Sequence, residues 1–170
     1  MPGDWTTHPS LQGRFNPEFP DDLQVIVHDG HPAITKRAAE LVWVRVTARG
    51  QDVPVFGGRH LAVFRGVVLN KPQQSVAVSE GTEIHFVGPE GGPYPLQVTA
   101  EYLQERPSWR TMAVCKNCGM SELLSTALEL AKLSFPSLTD NQLSGLMFTT
   151  HCGWCGGGQV VRLMRKRAST

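Results

Sequence analysis

Two Cys-x-x-Cys pairs constrain this chain more than any other feature of its sequence. Each pair is followed at once by a glycine: Cys115, Cys118 and Gly119, then Cys152, Cys155 and Gly156. Two thiolates three positions apart can reach one tetrahedral metal ion only where the backbone turns sharply, and the glycine permits the unusual backbone angles of that turn. Two such turns complete a Cys₄ shell. The sequence therefore predicts one structural zinc ion bound by all four cysteines.

The spacing between the pairs predicts an insertion. Residues 119–151 separate them by 33 positions, whereas roughly 15–20 are usual for a two-pair zinc pattern. The segment Ser121–Leu133 accounts for the excess, because Ser121 suits an N-cap and leucines and alanines recur at helical spacing after it. We predict a zinc-ribbon-like module over residues 111–164, with a helix at residues 121–133 inserted in it.

Three other uses of the cysteines are weaker. Redox catalysis is favoured by the helix that follows Cys118, since a helix N-terminus lowers a thiol pKa, but no helix follows the second pair. Zinc catalysis needs an open coordination position and usually a His or carboxylate ligand. His151 adjoins Cys152, but four thiolates already fill the coordination shell of the zinc ion. Structural disulfides are disfavoured in the reducing cytoplasm.

The first half of the chain predicts a β-rich domain, at residues 23–110. About five short strands are separated by Gly/Pro turns, and in Val42–Thr47 valines alternate with larger or polar side chains. Gly66 within a strand indicates a bulge or tight bend. The predicted fold class is α+β, mainly β: a small bent antiparallel sheet or partly open barrel beside the zinc-ribbon-like module. Prolines and apolar anchors predict that residues 1–22 form an extended arm against this domain.

Residues 42–109 carry three short motifs in order. The first is a Trp-Val-x-Val strand at Trp43–Val46, the second is a strand end that runs from a glycine to a proline at Gly66–Pro72, and the third is a strand that begins with valine and ends with phenylalanine at Val78–Phe86. This order resembles the YegJ-type family of small bacterial domains of unknown function, over about 70 of the 170 residues. The resemblance implies a bacterial source, a small β-rich fold and partner binding such as toxin neutralisation, but no catalytic residues. The chain departs from that pattern by a longer insertion at residues 51–60 and by the cysteine module.

Charge excludes a general polyanion binder. Sixteen Lys and Arg stand against fifteen Asp and Glu, a net charge of +1. Positive charge is nevertheless concentrated near the C-terminal end, where residues 165–170 form a basic tail. Four side chains in and just before this tail are candidate phosphate or partner contacts: Arg162, Arg165, Lys166 and Arg167. The chain has neither a spanning apolar stretch of roughly 18 residues nor the pattern of a signal peptide at its start, so we expect no membrane association and a cytoplasmic location.

These observations leave three hypotheses of function. The first is a non-enzymatic, zinc-stabilised interaction protein that binds another protein. The second is a nucleic-acid-binding protein that acts through the zinc module and the basic tail. The third is a thiol or metal enzyme. A further cluster, His28, Asp29 and His31, contains metal-binding and acid–base side chains, but Asp-Gly after a strand is ordinary turn chemistry and favours a turn.

Overall fold

The computed structural model describes residues 4–89 and 91–165. Its strands are β1 (Asp22–Val27), β2 (Glu40–Arg49), β3 (Val53–Pro54), β4 (His60–Leu61), β5 (Val63–Val68), β6 (Glu83–Val87), β7 (Leu96–Val98), β8 (Trp109–Ala113), β9 (Met147–His151) and β10 (Gly158–Leu163). Its helices are α1 (Pro32–Thr35), α2 (Ala100–Glu105), α3 (Ala127–Ser134) and α4 (Asp140–Leu143). Short 3₁₀ turns occupy Asp4–Thr7 and Arg106–Ser108.

Five strands form a closed barrel in the order β1-β2-β5-β6-β7. Successive strands pair antiparallel, while β1 and β7 lie parallel at Ile26 and Leu96 and close the barrel. This parallel pairing follows from the odd number of strands, because the first and fifth strands of an antiparallel meander run the same way. The predicted fold, mainly β with a barrel-like sheet, is confirmed, and the barrel is closed rather than partly open.

Alternation along β2 separates the inside of the barrel from its outside. Val42, Val44 and Val46 are buried, whereas Trp43 and Arg45 are exposed. The same period-two pattern is what the sequence predicted for this strand. The β-branched residues therefore build the barrel core together with the stacked rings of Phe64 and Phe86.

Gly66 lets β5 approach β2 closely. A Cβ atom at Gly66 would lie 2.5 Å from Val44 Cγ1 and 2.7 Å from the Arg45 carbonyl oxygen. The pairing register between the two strands shifts nearby, between Val46 and Ala48. The irregularity predicted from Gly66 therefore falls at this crossing, and the extra residue belongs to β2.

From residue 4 onward the N-terminal segment forms turns, whereas the sequence predicted an extended arm over residues 1–22. It begins the described chain with a 3₁₀ turn, and Leu11 N–H donates to the His8 carbonyl in a further turn. Leu11 is fully buried in the barrel core, and Phe15 bridges to Leu23 of β1. The arm thus folds into turns because this places Leu11 deep in the core, where an extended segment would only cover the surface.

A three-stranded antiparallel sheet, in the order β8-β10-β9, forms the second half of the molecule. One cluster of buried residues joins its inner face to the barrel, and the members include Ile26, Val63, Leu96, Trp109 and Phe148. The barrel and this sheet therefore share apolar packing.

The helix predicted at residues 121–133 begins later than expected. The observed helix α3 spans Ala127–Ser134, and its N-cap is Thr126, whose side chain accepts a hydrogen bond from Glu129 N–H. The carboxylate of Glu105 in α2 accepts the N–H groups of Ala127 and Leu128, each at 2.9 Å. These acceptors satisfy the first free N–H groups of the helix and fix its start. Ser121 is therefore not the N-cap.

A buried ion pair anchors the loop just before α3. Arg106 donates from Nε to Glu122 Oε1 at 2.7 Å and from its second terminal nitrogen to Oε2 at 3.0 Å. The hydroxyl of Tyr102 donates to Glu122 Oε1 at 3.0 Å and accepts from Leu123 N–H at 2.9 Å. Both charged side chains are almost fully buried. The pair therefore connects the α2 region with the loop that follows the first cysteine pair.

Replacing Arg106 tests this connection. Arg106→Met leaves the Glu122 carboxylate buried without its partner, and we expect a loss of about 3–5 kcal/mol in the free energy of unfolding. The matched control is Arg65→Met, which removes an exposed pair with Glu83 at 3.8 Å and should cost less than about 1 kcal/mol. Urea unfolding followed by circular dichroism measures both, and equal losses would contradict this account.

Candidate metal centre

The four cysteines lie at one end of the three-stranded sheet. Cys115 and Cys118 follow β8, and Cys152 and Cys155 form the turn between β9 and β10. Since β10 pairs with both β8 and β9, the sheet brings the two turns side by side. A hydrogen bond from Lys116 N–H to the Gly158 carbonyl, 3.4 Å long, links them directly.

Both cysteine turns have the same backbone hydrogen-bond pattern. In the first, Cys115 N–H donates to the Met120 carbonyl and Gly119 N–H donates to the Cys115 carbonyl, each at 2.9 Å. In the second, the equivalent bonds measure 2.6 and 2.9 Å and join Cys152 to Gly157 and Gly156. The glycine after each pair has a positive φ, 80° at Gly119 and 83° at Gly156. This is the conformation for which the sequence required glycine.

The four sulfurs converge. Cys115 Sγ lies 3.2 Å from Cys155 Sγ, and Cys118 Sγ lies 3.7 Å from Cys152 Sγ, so each close contact joins one turn to the other. All four sulfurs lie within 4.8 Å of one another and could hold one metal ion. Within residues 4–89 and 91–165, no other group of three or more His, Cys, Asp or Glu side chains is close enough together to hold a metal ion.

Some groups around the thiols favour their ionisation and others oppose it. Burial acts against the thiolate of Cys115, but N–H groups of Cys118 and Asn117 and the Cys155 thiol donate to its sulfur and lower its pKa to about 7. Burial raises the pKa of Cys118 far above the ordinary value, and neighbouring thiols add to this effect. Burial also raises the pKa of Cys152. Four thiolates at this spacing therefore need a cation to neutralise them.

Gly157 makes room for the first ligand, a role that the Cys-x-x-Cys-Gly pattern did not predict. A Cβ atom at this position would lie 2.6 Å from Cys115 Sγ and 3.0 Å from Asn117 Nδ2. The glycine run after Cys155 is the signal that could have indicated it, because a close approach of backbone to another group is a common reason for glycine. Gly158, the next residue, faces open space.

The distances between the sulfurs and the position of α3 do not favour the disulfide and redox hypotheses. The short sulfur contacts exceed the roughly 2.05 Å of a disulfide bond, and all four thiols are free. Helix α3 begins nine positions after Cys118, so its N-terminus is not at the first pair, where the redox hypothesis needs it. His151 is exposed, and its carbonyl accepts a 2.7 Å hydrogen bond from His31 Nε2.

The cluster of His28, Asp29 and His31 is occupied by structural hydrogen bonds. The Asp29 carboxylate accepts from Ser75 Oγ, from the N–H groups of Val76 and Ala77 and from Arg37 Nε. These bonds outweigh burial and hold the pKa of Asp29 well below its usual range.

The two histidines are also bound to backbone groups. His28 is buried with Nε2 at 2.8 Å from the Gln97 carbonyl, and burial lowers its pKa to about 4. Ser125 Oγ accepts from His31 N–H at 2.8 Å, which ties the turn after β1 to the loop before α3. The two imidazole rings thus hold backbone segments in place, since each is hydrogen-bonded to a backbone carbonyl, of Gln97 for His28 and of His151 for His31.

The predicted basic contacts are only partly described. Arg162 lies in β10, half-buried, with Nε 3.5 Å from the Gly145 carbonyl. Arg165 is exposed, and its side chain passes close to Gly145. Lys166 and Arg167 lie outside the described residues. Arg162 stands opposite Arg110 and Met147, at the other end of β10 from Gly158 and the cysteine turns.

Comparisons with protein-family models, with curated proteins and with solved structures found no match. The resemblance of residues 42–109 to the YegJ-type family therefore stays a prediction. Within the described residues, no helix combines the length and the apolar character that crossing a membrane requires.

A pair of neighbouring glycines tests the close approach at Cys115. Gly157→Ala places a methyl group against the Cys115 sulfur and should weaken metal binding by about 10–100-fold, the range for residues that support a metal ligand. Gly158→Ala adds the same group in open space and should leave the affinity unchanged. Competition titrations with a chromophoric chelator measure both, and equal affinities would show that the site does not need the room at Gly157.

Proposed function

We propose that the four cysteines bind one structural zinc ion. The observation that carries this proposal is the convergence of four sulfurs, with cross-turn contacts of 3.2 and 3.7 Å. A tetrahedral zinc–thiolate site with Zn–S bonds of about 2.3 Å has S···S edges of about 3.8 Å. Four sulfur ligands select zinc or iron over magnesium and calcium, and they leave zinc no open position for a substrate.

Metal analysis tests the identity and stoichiometry of the ion. Protein purified under reducing conditions should contain one zinc per chain and no iron. Cys118→Ser should lose most of the bound zinc, because three thiolates bind it less tightly than four, and the apo chain should become sensitive to protease between β8 and β10. A chain that is metal-free and equally protease-resistant with and without added zinc would contradict the proposal.

We further propose that the zinc-stabilised sheet serves a protein-interaction function in the cytoplasm, where thiols stay reduced. A closed thiolate shell supplies stability and no reaction site. Exposed apolar side chains on or beside the sheet support binding instead, with Met112 41%, Val114 48% and Met147 53% exposed. Met112 and Val114 lie on one groove, and apolar side chains exposed together mark interaction sites on folded proteins. The nucleic-acid alternative rests on Arg162 and Arg165, and Arg162 is partly engaged with the Gly145 carbonyl.

Affinity capture separates the two alternatives. The zinc-loaded chain, immobilised and exposed to nuclease-treated lysate of its source organism, should retain a protein that binds again when both components are purified. Zinc-stripped chain should retain less of it. A protein that is retained from untreated lysate but not from nuclease-treated lysate would favour the nucleic-acid alternative. Tight binding of duplex DNA by the purified chain, with steep salt dependence, would favour it as well.

A further inference from the structure

An open groove lies between the β3–β4 hairpin and strand β8. Its volume is about 1100 Å³, and Phe56 from the hairpin and Met112 and Val114 from the β8 side lie on its walls. Phe56 is 54% exposed, so the groove presents an aromatic ring as well as aliphatic side chains to solvent. Apolar side chains therefore share the wall of the groove with charged ones such as Arg59 and Arg110, a combination that suits a peptide segment carrying both kinds of side chain.

Strand β8 borders the groove and has a free edge. It pairs with β10 on one side, and no strand of the described chain pairs with its other side. The register against β10 passes from Thr111 to Ala113, so Met112 is an extra residue that interrupts the edge. An incoming strand could therefore pair over only a few residues, which suits a short segment rather than an open-ended stack.

Positive charge along the groove is not neutralised within the described residues. Arg110 in β8 stands directly opposite Arg162 in β10, and like charges opposite each other on a sheet are unfavourable. The Arg110 guanidinium lies over the Phe56 ring, 4.4 Å from its centroid, and Arg59 lies on the same groove. None of these three arginines forms an ion pair in residues 4–89 and 91–165.

The acidic residue on the groove wall does not neutralise this charge. Glu122 also lines the groove, but both of its carboxylate oxygens accept from Arg106. Its charge is therefore balanced by Arg106, and Arg59 and Arg110 remain available to an external anion. Carboxylates bind guanidinium groups through paired charge-assisted hydrogen bonds.

We propose that this groove binds an extended acidic segment of a partner protein, whose carboxylates contact Arg59 and Arg110 and whose apolar side chains pack on Phe56 and Met112. The proposal rests on the protein-interaction function and names the partner chemistry. The free edge of β8 favours a peptide over a nucleic acid, because a peptide backbone can pair with it and a phosphate backbone cannot.

Selection from a displayed library of random ten-residue peptides tests the proposal. The zinc-loaded chain should enrich sequences in which Asp or Glu alternate with apolar residues. The recovered peptides should bind Arg59→Glu and Arg110→Glu variants about tenfold more weakly than the unaltered chain. The matched control is Arg65→Glu, which makes the same charge change outside the groove and should keep the affinity. Amide NMR shifts on binding should map to Phe56, Arg110 and Met112.

The results that would contradict the groove proposal differ from those that would contradict the proposed protein-interaction function. No enrichment, recovered peptides without acidic residues, or equal binding by Arg59→Glu and Arg110→Glu would overturn the groove proposal. A captured protein partner that both groove variants still bind would overturn it while leaving the interaction function in place. Tighter binding of a ten-residue oligothymidine than of any selected peptide, with shifts at the same residues, would overturn it in favour of nucleic acid.

Discussion

The close packing of four cysteine sulfurs is the constraint on which this end of the molecule depends. Two backbone turns with the same hydrogen-bond pattern present sulfurs within 4.8 Å of one another. Burial raises the pKa values of Cys118 and Cys152, and neighbouring thiols raise that of Cys118 further, so the cluster opposes full ionisation unless a cation is present. A bound dication converts mutual repulsion into attraction and fixes the relative positions of β8, β9 and β10.

The consequences extend into the barrel because the two sheets share contacts. The loop after the first cysteine turn supplies Glu122, which holds Arg106 in a buried bidentate pair. Directly before the second turn, the His151 carbonyl accepts from His31, in the segment that follows β1. We therefore expect metal loss to disturb the barrel as well as the three-stranded sheet, since both cysteine turns are tied to segments that follow barrel strands.

Local features of the sequence predicted the parts of the structure that local chemistry determines. The Cys-x-x-Cys-Gly pattern predicted both turns, because the positive φ of Gly119 and Gly156 is required within a few residues. The alternation in β2 predicted its inner and outer faces. In contrast, the start of α3 at Ala127 depends on Glu105, more than twenty positions away, and the Arg106–Glu122 pair depends on how the chain folds back.

The sequence could not predict the closure of the barrel or the pairing of Arg110 with Arg162, for a related reason. Ile26 meets Leu96 only after five strands have paired, and Arg110 meets Arg162 only in the register set by the β8–β10 pairing. The prediction of a basic tail placed Arg162 with the residues that follow it, whereas the sheet places it beside Arg110. Arg162 thus belongs to a strand of the sheet, and its neighbours follow from strand register rather than from sequence proximity.

X-ray absorption spectroscopy at the zinc edge, on protein purified under reducing conditions, tests the central claim most directly. The account predicts four sulfur neighbours at about 2.3 Å and no nitrogen or oxygen in the first coordination sphere. A spectrum with fewer than four sulfurs, or with light-atom ligands at about 2.0–2.1 Å, would contradict a site built from Cys115, Cys118, Cys152 and Cys155.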